Sequence, residues 1–133
     1  MANFPLSSGA LARRNVTGVI AAGRKFSPSA NLAVSDTIEL CKLPEGAYPV
    51  FIFIGHNVAT TMTVDVGDGT DASAYMSGVV IASDGVGTLD EGVTGLMAKT
   101  TGEVTVTLTV TAITAPNTTG VLNACVIYSM DVE

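Results

Sequence analysis

Residues 103–112 read E-V-T-V-T-L-T-V-T-A, a strict alternation of apolar and threonine positions. Successive side chains of a strand point to opposite faces. Val104, Val106, Leu108 and Val110 therefore share one face, and Thr105, Thr107, Thr109 and Thr111 the other. Such a threonine face is either wet or a seam between subunits, because it meets both without stranding a charge. The same period runs through 36–42 around Ile38 and Leu40, and through 60–66 with Met62, Val64 and Val66 on one side. Residues 48–55 are almost continuously apolar, the pattern of a central strand covered on both faces. Residues 74–82, interrupted by Gly78, read as a strand or a short irregular crossover, and further strands are expected at 93–99 and at 121–130.

Turn residues part these segments. Leu43-Pro44-Glu45-Gly46-Ala47 places Pro for a fixed φ and Gly for a positive one. Gly67-Asp68-Gly69-Thr70-Asp71, the acidic glycine-rich stretch 84–92, Thr100-Thr101-Gly102 and 115–120 punctuate the rest. Short strands at a spacing of about 8–12 residues, with Gly, Pro, Asn and Asp between them, are the pattern of a sandwich or barrel. No stretch carries a helical period. The expected fold is all-β, a single β-sandwich or jelly-roll-like body over residues 34–133, with an extended N-terminal arm over residues 1–33.

The arm is punctuated by Pro5, Gly9, Gly18, Gly23 and Pro28, too often for a long strand or helix. It also carries Phe4, Leu11, Val16, Ile20 and Phe26, more apolar surface than a solvated tail holds. It is expected to be ordered by contact, partly with its own body and partly with a partner. Charge sorts along the chain in the same way. Arg13, Arg14, Arg24 and Lys25 precede the first acid, Asp36; from there on, twelve acids face only Lys42 and Lys99. A basic leader on an acidic body suits an arm lying on another acidic surface. Phe4, Leu11, Arg13, Arg14, Arg24, Lys25 and Phe26 are the expected partner contacts, and a chain lacking residues 2–30 is expected to keep a folded body.

Length gives one domain, large enough to bury roughly two-thirds of its unfolded surface. Apolar residues make up 47% of the chain and aromatics 5%, with no Trp, so the core rests on aliphatic side chains and Met. Charged residues are 14%, against about 25% in an ordinary soluble domain. So neutral a surface suits a protein that is largely covered in use. Four basic residues without interleaved aromatics, on a chain of pI about 4.5, make a poor nucleic-acid footprint, and no nucleic-acid partner is expected. No apolar run approaches a bilayer-spanning length, and no secretory leader is read at the start. Synthesis in the cytoplasm, without a membrane partner, is the expectation. Cys41 and Cys125 are then expected to be free thiols.

Candidate chemistry is sparse. His56 is the one histidine, with no nucleophile signature to pair with it, and reads as a turn or interface residue. Asp65, Asp68 and Asp71 stand three apart in a glycine loop, the best carboxylate cluster for an ion such as Ca²⁺. Their spacing is not that of an EF-hand, and Asp and Gly are also the ordinary residues of a tight turn. Asp84, Asp90 and Glu91 form a weaker cluster. G-D-G-T lacks the lysine of a phosphate loop, and sugar-gripping aromatics are few. No catalytic, metal or cofactor residue is assigned, and the chain is not read as an enzyme.

Two stretches carry a more specific resemblance. D-T-I-E-L-C-K-L-P-E-G-A (36–47) followed by M-T-V-D-V-G-D-G-T-D-A-S-A-Y-M (62–76) resembles a group of tailed-bacteriophage virion structural proteins. In that group a strand ends in a K-L-P-x-G-A turn and a later strand runs into V-G-D-G-x-D-A. The resemblance extends from Ser35 to the C-terminus. It implies a decoration or cement subunit on the capsid surface, usually a homotrimer, whose partners are the major capsid protein and its own copies. Threonines 105, 107, 109 and 111 then lie at the trimer seam or face solvent. Two other readings stand beside it. One is a head or tail fibre or adhesion module, for which Tyr75 and Tyr128 are the candidate loop aromatics; the other is a tail-tube or neck component.

Overall fold

The computed structural model describes residues 2–6, 18–88 and 98–130. Nine strands make up its regular structure: β1 (Asn3–Phe4), β2 (Gly18–Phe26), β3 (Thr37–Leu43), β4 (Ala47–His56), β5 (Thr61–Gly67), β6 (Met76–Ala82), β7 (Val86–Thr88), β8 (Val104–Thr114) and β9 (Leu122–Met130). They form two sheets, β1-β3-β8-β5-β6 and β2-β9-β4-β7. Apart from β1, which runs parallel to β3, every pairing is antiparallel. The molecule is an all-β sandwich, as the alternating pattern predicts.

The core lies between the sheets. Ile38, Leu40 and Leu43 of β3, Met62, Val64 and Val66 of β5, and Val106, Leu108 and Val110 of β8 come from one side. Ile52 and Ile54 of β4 and Leu122, Val126 and Tyr128 of β9 meet them from the other. Period-two patterning dictates this, since a one-residue slip would turn each set out to water. Three bulges break the first sheet's register, at Glu39/Cys41, Thr63/Val64 and Val64/Val66. The first explains why Leu40 and Cys41 are buried side by side. In the third, the Asp65 carboxylate accepts the Gly78 N–H at 2.7 Å, and Gly78 takes a φ of +61°. The interruption expected at Gly78 is thus a bulge inside β6, an extra residue that bends the strand. The β3–β4 turn closes on Gly46 at φ +87°, as Pro44 and Gly46 predict.

Three expectations change. Residues 18–26, expected within an arm, form a nine-residue strand paired with β9 from Gly18↔Met130 to Phe26↔Leu122. Gly23 permits this instead of breaking it, because a Cβ there would sit 2.6 Å from the Ala124 carbonyl oxygen. The boundary expected at residue 33 therefore cuts through a sheet, and a chain lacking residues 2–30 loses two strands, β1 and β2. Second, β4 is covered on one face only: Ile52 and Ile54 are buried, while Val50 and Phe53 are 37% and 36% exposed. Its near-continuous apolarity reflects an apolar outer surface. Third, of the strand expected at 93–99, residues 93–97 lie outside the described residues, and Ala98–Lys99 are irregular.

Candidate functional site

The two outward faces differ in chemistry. On the five-stranded sheet Thr109 stands between Thr37 and Asp65, and Thr107 between Glu39 and Gly67. Thr105 pairs with Lys42. Thr105, Thr107 and Thr109 are half-buried and Thr111 is exposed, its hydroxyl donating to the Thr63 carbonyl at 3.2 Å. The threonine face lies where the alternation predicts, with Glu39, Lys42 and Asp65 among its hydroxyls.

The outward face of the four-stranded sheet is apolar. Register places Phe51 beside Ile127 and Ala21, and Phe53 beside Cys125 and Gly23. Gly55 pairs with Val86, which is 66% exposed. The Phe51 and Phe53 rings lie 5.8 Å apart at 53°, tilted against one another on the surface. Among the described strand residues on this face Lys25 is the one charge, beside Asn123 at one end. A contiguous apolar patch of this kind marks an interaction site more often than chance exposure. Sequence reasoning missed it because a run apolar at every position reads as doubly covered; the missing signal was a second layer to cover it.

Between the sheets, at the β2 edge, the N-terminal residues are clasped. Arg24 points inward from β2, and its Nη1 donates to the Phe4 carbonyl at 3.0 Å and the Glu39 carbonyl at 2.7 Å. Its guanidinium lies 5.0 Å from the centre of the Phe26 ring, and Phe4 packs on that ring at 5.1 Å. Asp36, 6% exposed, accepts from Ala2 N at 2.9 Å and Ala33 N at 3.0 Å. Glu39 Oε1 accepts from Leu6 N at 3.0 Å, and the Thr37 hydroxyl donates to Asn3 Oδ1 at 2.7 Å. Of the expected partner contacts, Phe4, Arg24 and Phe26 thus meet inside the molecule. Lys25 is exposed, and Leu11, Arg13 and Arg14 lie outside the described residues.

The remaining candidates have structural partners. Asp68 Oδ1 accepts from Thr70 N and Asp71 N, and Asp71 Oδ1 from Ser73 N and its hydroxyl. With Asp65 capping Gly78, the three carboxylates hold turns, and among the described residues no group of three or more potential metal ligands converges. Asp84 sits in the β6–β7 turn at φ +60°; Asp90 and Glu91 lie outside the described residues. His56 is 4% exposed, an inward residue at the end of β4. Its Nε2 lies 2.8 Å from the Ile81 carbonyl, so Nε2 carries the proton, and buried Nδ1 has no hydrogen-bond partner among the described residues. Cys41 and Cys125 are free thiols, as expected. Burial, with a smaller contribution from nearby Cys125, pushes the Cys41 thiol from 9.0 up to about 12, which leaves it inert. Tyr75 and Tyr128, the expected loop aromatics, are 3% and 1% exposed.

No family model matches the chain, and none of the curated proteins matches it. Solved structures do. A chain of the cyanophage Pam1 capsid asymmetric unit is similar at 22% identity with a TM-score of 0.69, over 95% of this chain and 94% of that one. A chain of the capsid of Ralstonia phage GP4 is similar at 18% identity and a TM-score of 0.64, over 98% and 92%. A third, from the acidic stable capsid structure of Helicobacter pylori bacteriophage KHP30, has 17% identity and a TM-score of 0.58, over 86% and 90%. Identities this low describe a shared fold.

Proposed function

We propose that the chain is a bacteriophage virion structural protein, a capsid decoration subunit that assembles as a homotrimer and clamps neighbouring copies of the major capsid protein. The observation that carries this reading is the apolar outer face of β2-β9-β4-β7, with Phe51, Phe53 and Val86 on it and Lys25 as the one charge among its described strand residues, on a protein of net charge −6. Burying one such side chain is worth about 1.5–3 kcal/mol, and on this face the gain carries little charge-desolvation penalty. Copies that repel one another at long range can still join through it. The threonine face, with Glu39, Lys42 and Asp65, loses more on desolvation and is the better candidate for the side left wet. The sheet orders support a jelly-roll body, because β2-β9-β4-β7 and β3-β8-β5-β6 reproduce the two four-stranded sheets of that topology. Likeness in fold to chains of three phage capsids adds a second, independent support.

Parent particles prepared with and without the chain test the reading. Particles carrying it should retain their contents to higher temperature, and Phe53→Ser should fold normally yet fail to decorate. Mass in solution separates the neighbouring readings. A stable trimer fits decoration, a ring of six or twelve fits a tail-tube or neck part, and a monomer that never binds particles overturns the proposal.

A further inference from the structure

We infer that residues 2–6 are a transferable strand: in the assembled state the socket formed by Asp36, Thr37, Glu39, Arg24 and Phe26 takes this segment from a second copy of the chain. The inference rests on the assembly reading above and names one of its contacts. The socket reads an extended chain. Asp36 and Glu39 accept the N–H groups of Ala2 and Leu6, while Thr37 N and Arg24 donate to the carbonyls of Ala2 and Phe4. Its aromatic contact is Phe4 against Phe26. Without an occupant, Asp36 Oδ1 would exchange the Ala2 N–H for water, while Oδ2 keeps the Ala33 N–H. Filling the socket is therefore favourable, and nothing in its chemistry specifies by which copy.

Connectivity leaves the choice open. β1 lies parallel to β3, so no tight turn ties it there. Residues 7–17 stand between the segment and β2. Eleven residues reach up to about 36 Å, several times the roughly 10 Å between packed sheets. Exchange preserves every hydrogen bond in the socket, so the balance between self and neighbour is set by effective concentration. The proposed contact face adjoins the socket through β2, where Arg24 reaches into the clasp and the next residue, Lys25, stands on the outer face. On this inference, a copy docked on that face brings its own N-terminal residues beside the socket. An exchanged strand then has to be unseated before the two copies part.

Asn3→Cys with Thr37→Cys, in a chain whose natural thiols are replaced by Cys41→Ala and Cys125→Ala, gives a direct readout. Asn3 and Thr37 are register partners with side chains in contact. The assembly is first verified by light scattering and then oxidised. The inference requires that most of the protein run on a non-reducing denaturing gel at two or more times the chain mass, and at single mass after dilution to monomer before oxidation. Absence of interchain species from a verified assembly, whether the thiols close within one chain or stay open, overturns it while leaving the assembly reading standing. A quadruple variant that misfolds is replaced by Asn3→Cys and Thr37→Cys chains mixed in equal amounts and co-assembled, where a cross-linked heterodimer supports exchange and its absence refutes it. Failure of the wild-type chain to assemble at all is a failure of the parent reading, and is seen before oxidation.

Discussion

Arg24 Nη1 lies 2.7 Å from the carbonyl oxygen of Glu39, and this contact ties β2, at the edge of one sheet, to β3 of the other. The same nitrogen holds the Phe4 carbonyl, so one side chain closes the open side of the sandwich and seats the N-terminal strand. Arg24→Met keeps the length of the stem and removes the donors. It should cost about 2 kcal/mol in chemical denaturation, the usual scale for hydrogen bonds from a charged group. Lys25→Met, one residue on and facing outward, should stay within about 0.5 kcal/mol of wild type. Equal losses at the two positions would mean that the clasp contributes nothing.

Thr100 is the matching device at the β3–β4 turn. Its buried hydroxyl accepts from Ala47 N at 3.0 Å and donates to Pro44 O at 2.7 Å, while its backbone bonds Gly46 and Ala47. Thr100→Val fills the same volume and leaves two buried backbone groups unpaired, for an expected loss of about 2–3 kcal/mol. Thr100→Ser keeps the hydroxyl and should lose only about 1 kcal/mol, the worth of a buried methyl. Amide exchange at Ala47 should accelerate in the valine variant alone.

Gly67 and Gly69 sit two residues apart and answer to different physics. A Cβ on Gly67 would run into the Asp71 carbonyl and the Ala72 backbone, whereas one on Gly69 meets open space at φ +91°. Gly67→Ala should therefore cost about 3 kcal/mol through overpacking, and Gly69→Ala about 1 kcal/mol through left-handed strain. Thermal melts of the two variants, side by side, make the comparison.

Alkaline pH should destabilise the fold through Cys41. Its thiol is held neutral in the folded chain up to about 12, and ionises from 9.0 once exposed. Between those values the folded state binds the extra proton, so stability is intact below pH 9 and falls as pH rises towards 12. The slope from this one group is at most about 1.4 kcal/mol per pH unit. Tyr75, raised from 10.0 to about 12 chiefly by burial, acts in the same direction. Cys41→Ala should flatten the decline measured by urea titration at several alkaline pH values.

Removal of residues 2–30 should yield an insoluble or unfolded chain. It takes away β2, leaving β9 with an unpaired edge and an uncovered flank of core. Removal of residues 2–6 alone should leave a folded molecule, weakened about as much as Arg24→Met. Circular dichroism and solubility of the two truncations decide the matter.

The alternating strands were legible because period two has one physical meaning: Val106, Leu108 and Val110 are fully buried, and their threonine neighbours line the opposite face. Turn chemistry was legible for the same reason at Pro44 and Gly46. β2 was not, since Gly23 breaks the pattern of a strand and only the passing Ala124 carbonyl explains why it is there. The inward aim of Arg24 was equally hidden. A basic residue in a basic segment reads as surface, and its carbonyl partners come from chain positions 20 and 15 residues away. The apolar outer face of β4 was misread because sequence reports which residues are greasy and is silent on how many layers surround them.

The margins of the sheets have a consequence for how copies join. β1 is two residues long and β7 three, β6 carries the Asp65-capped bulge, and β2 bears Arg24 and Lys25. Each rim is thereby too short, too bent or too cationic to zipper onto another copy's rim in an endless row. Crowded together at high local density, such molecules are steered away from open-ended strand-to-strand stacking.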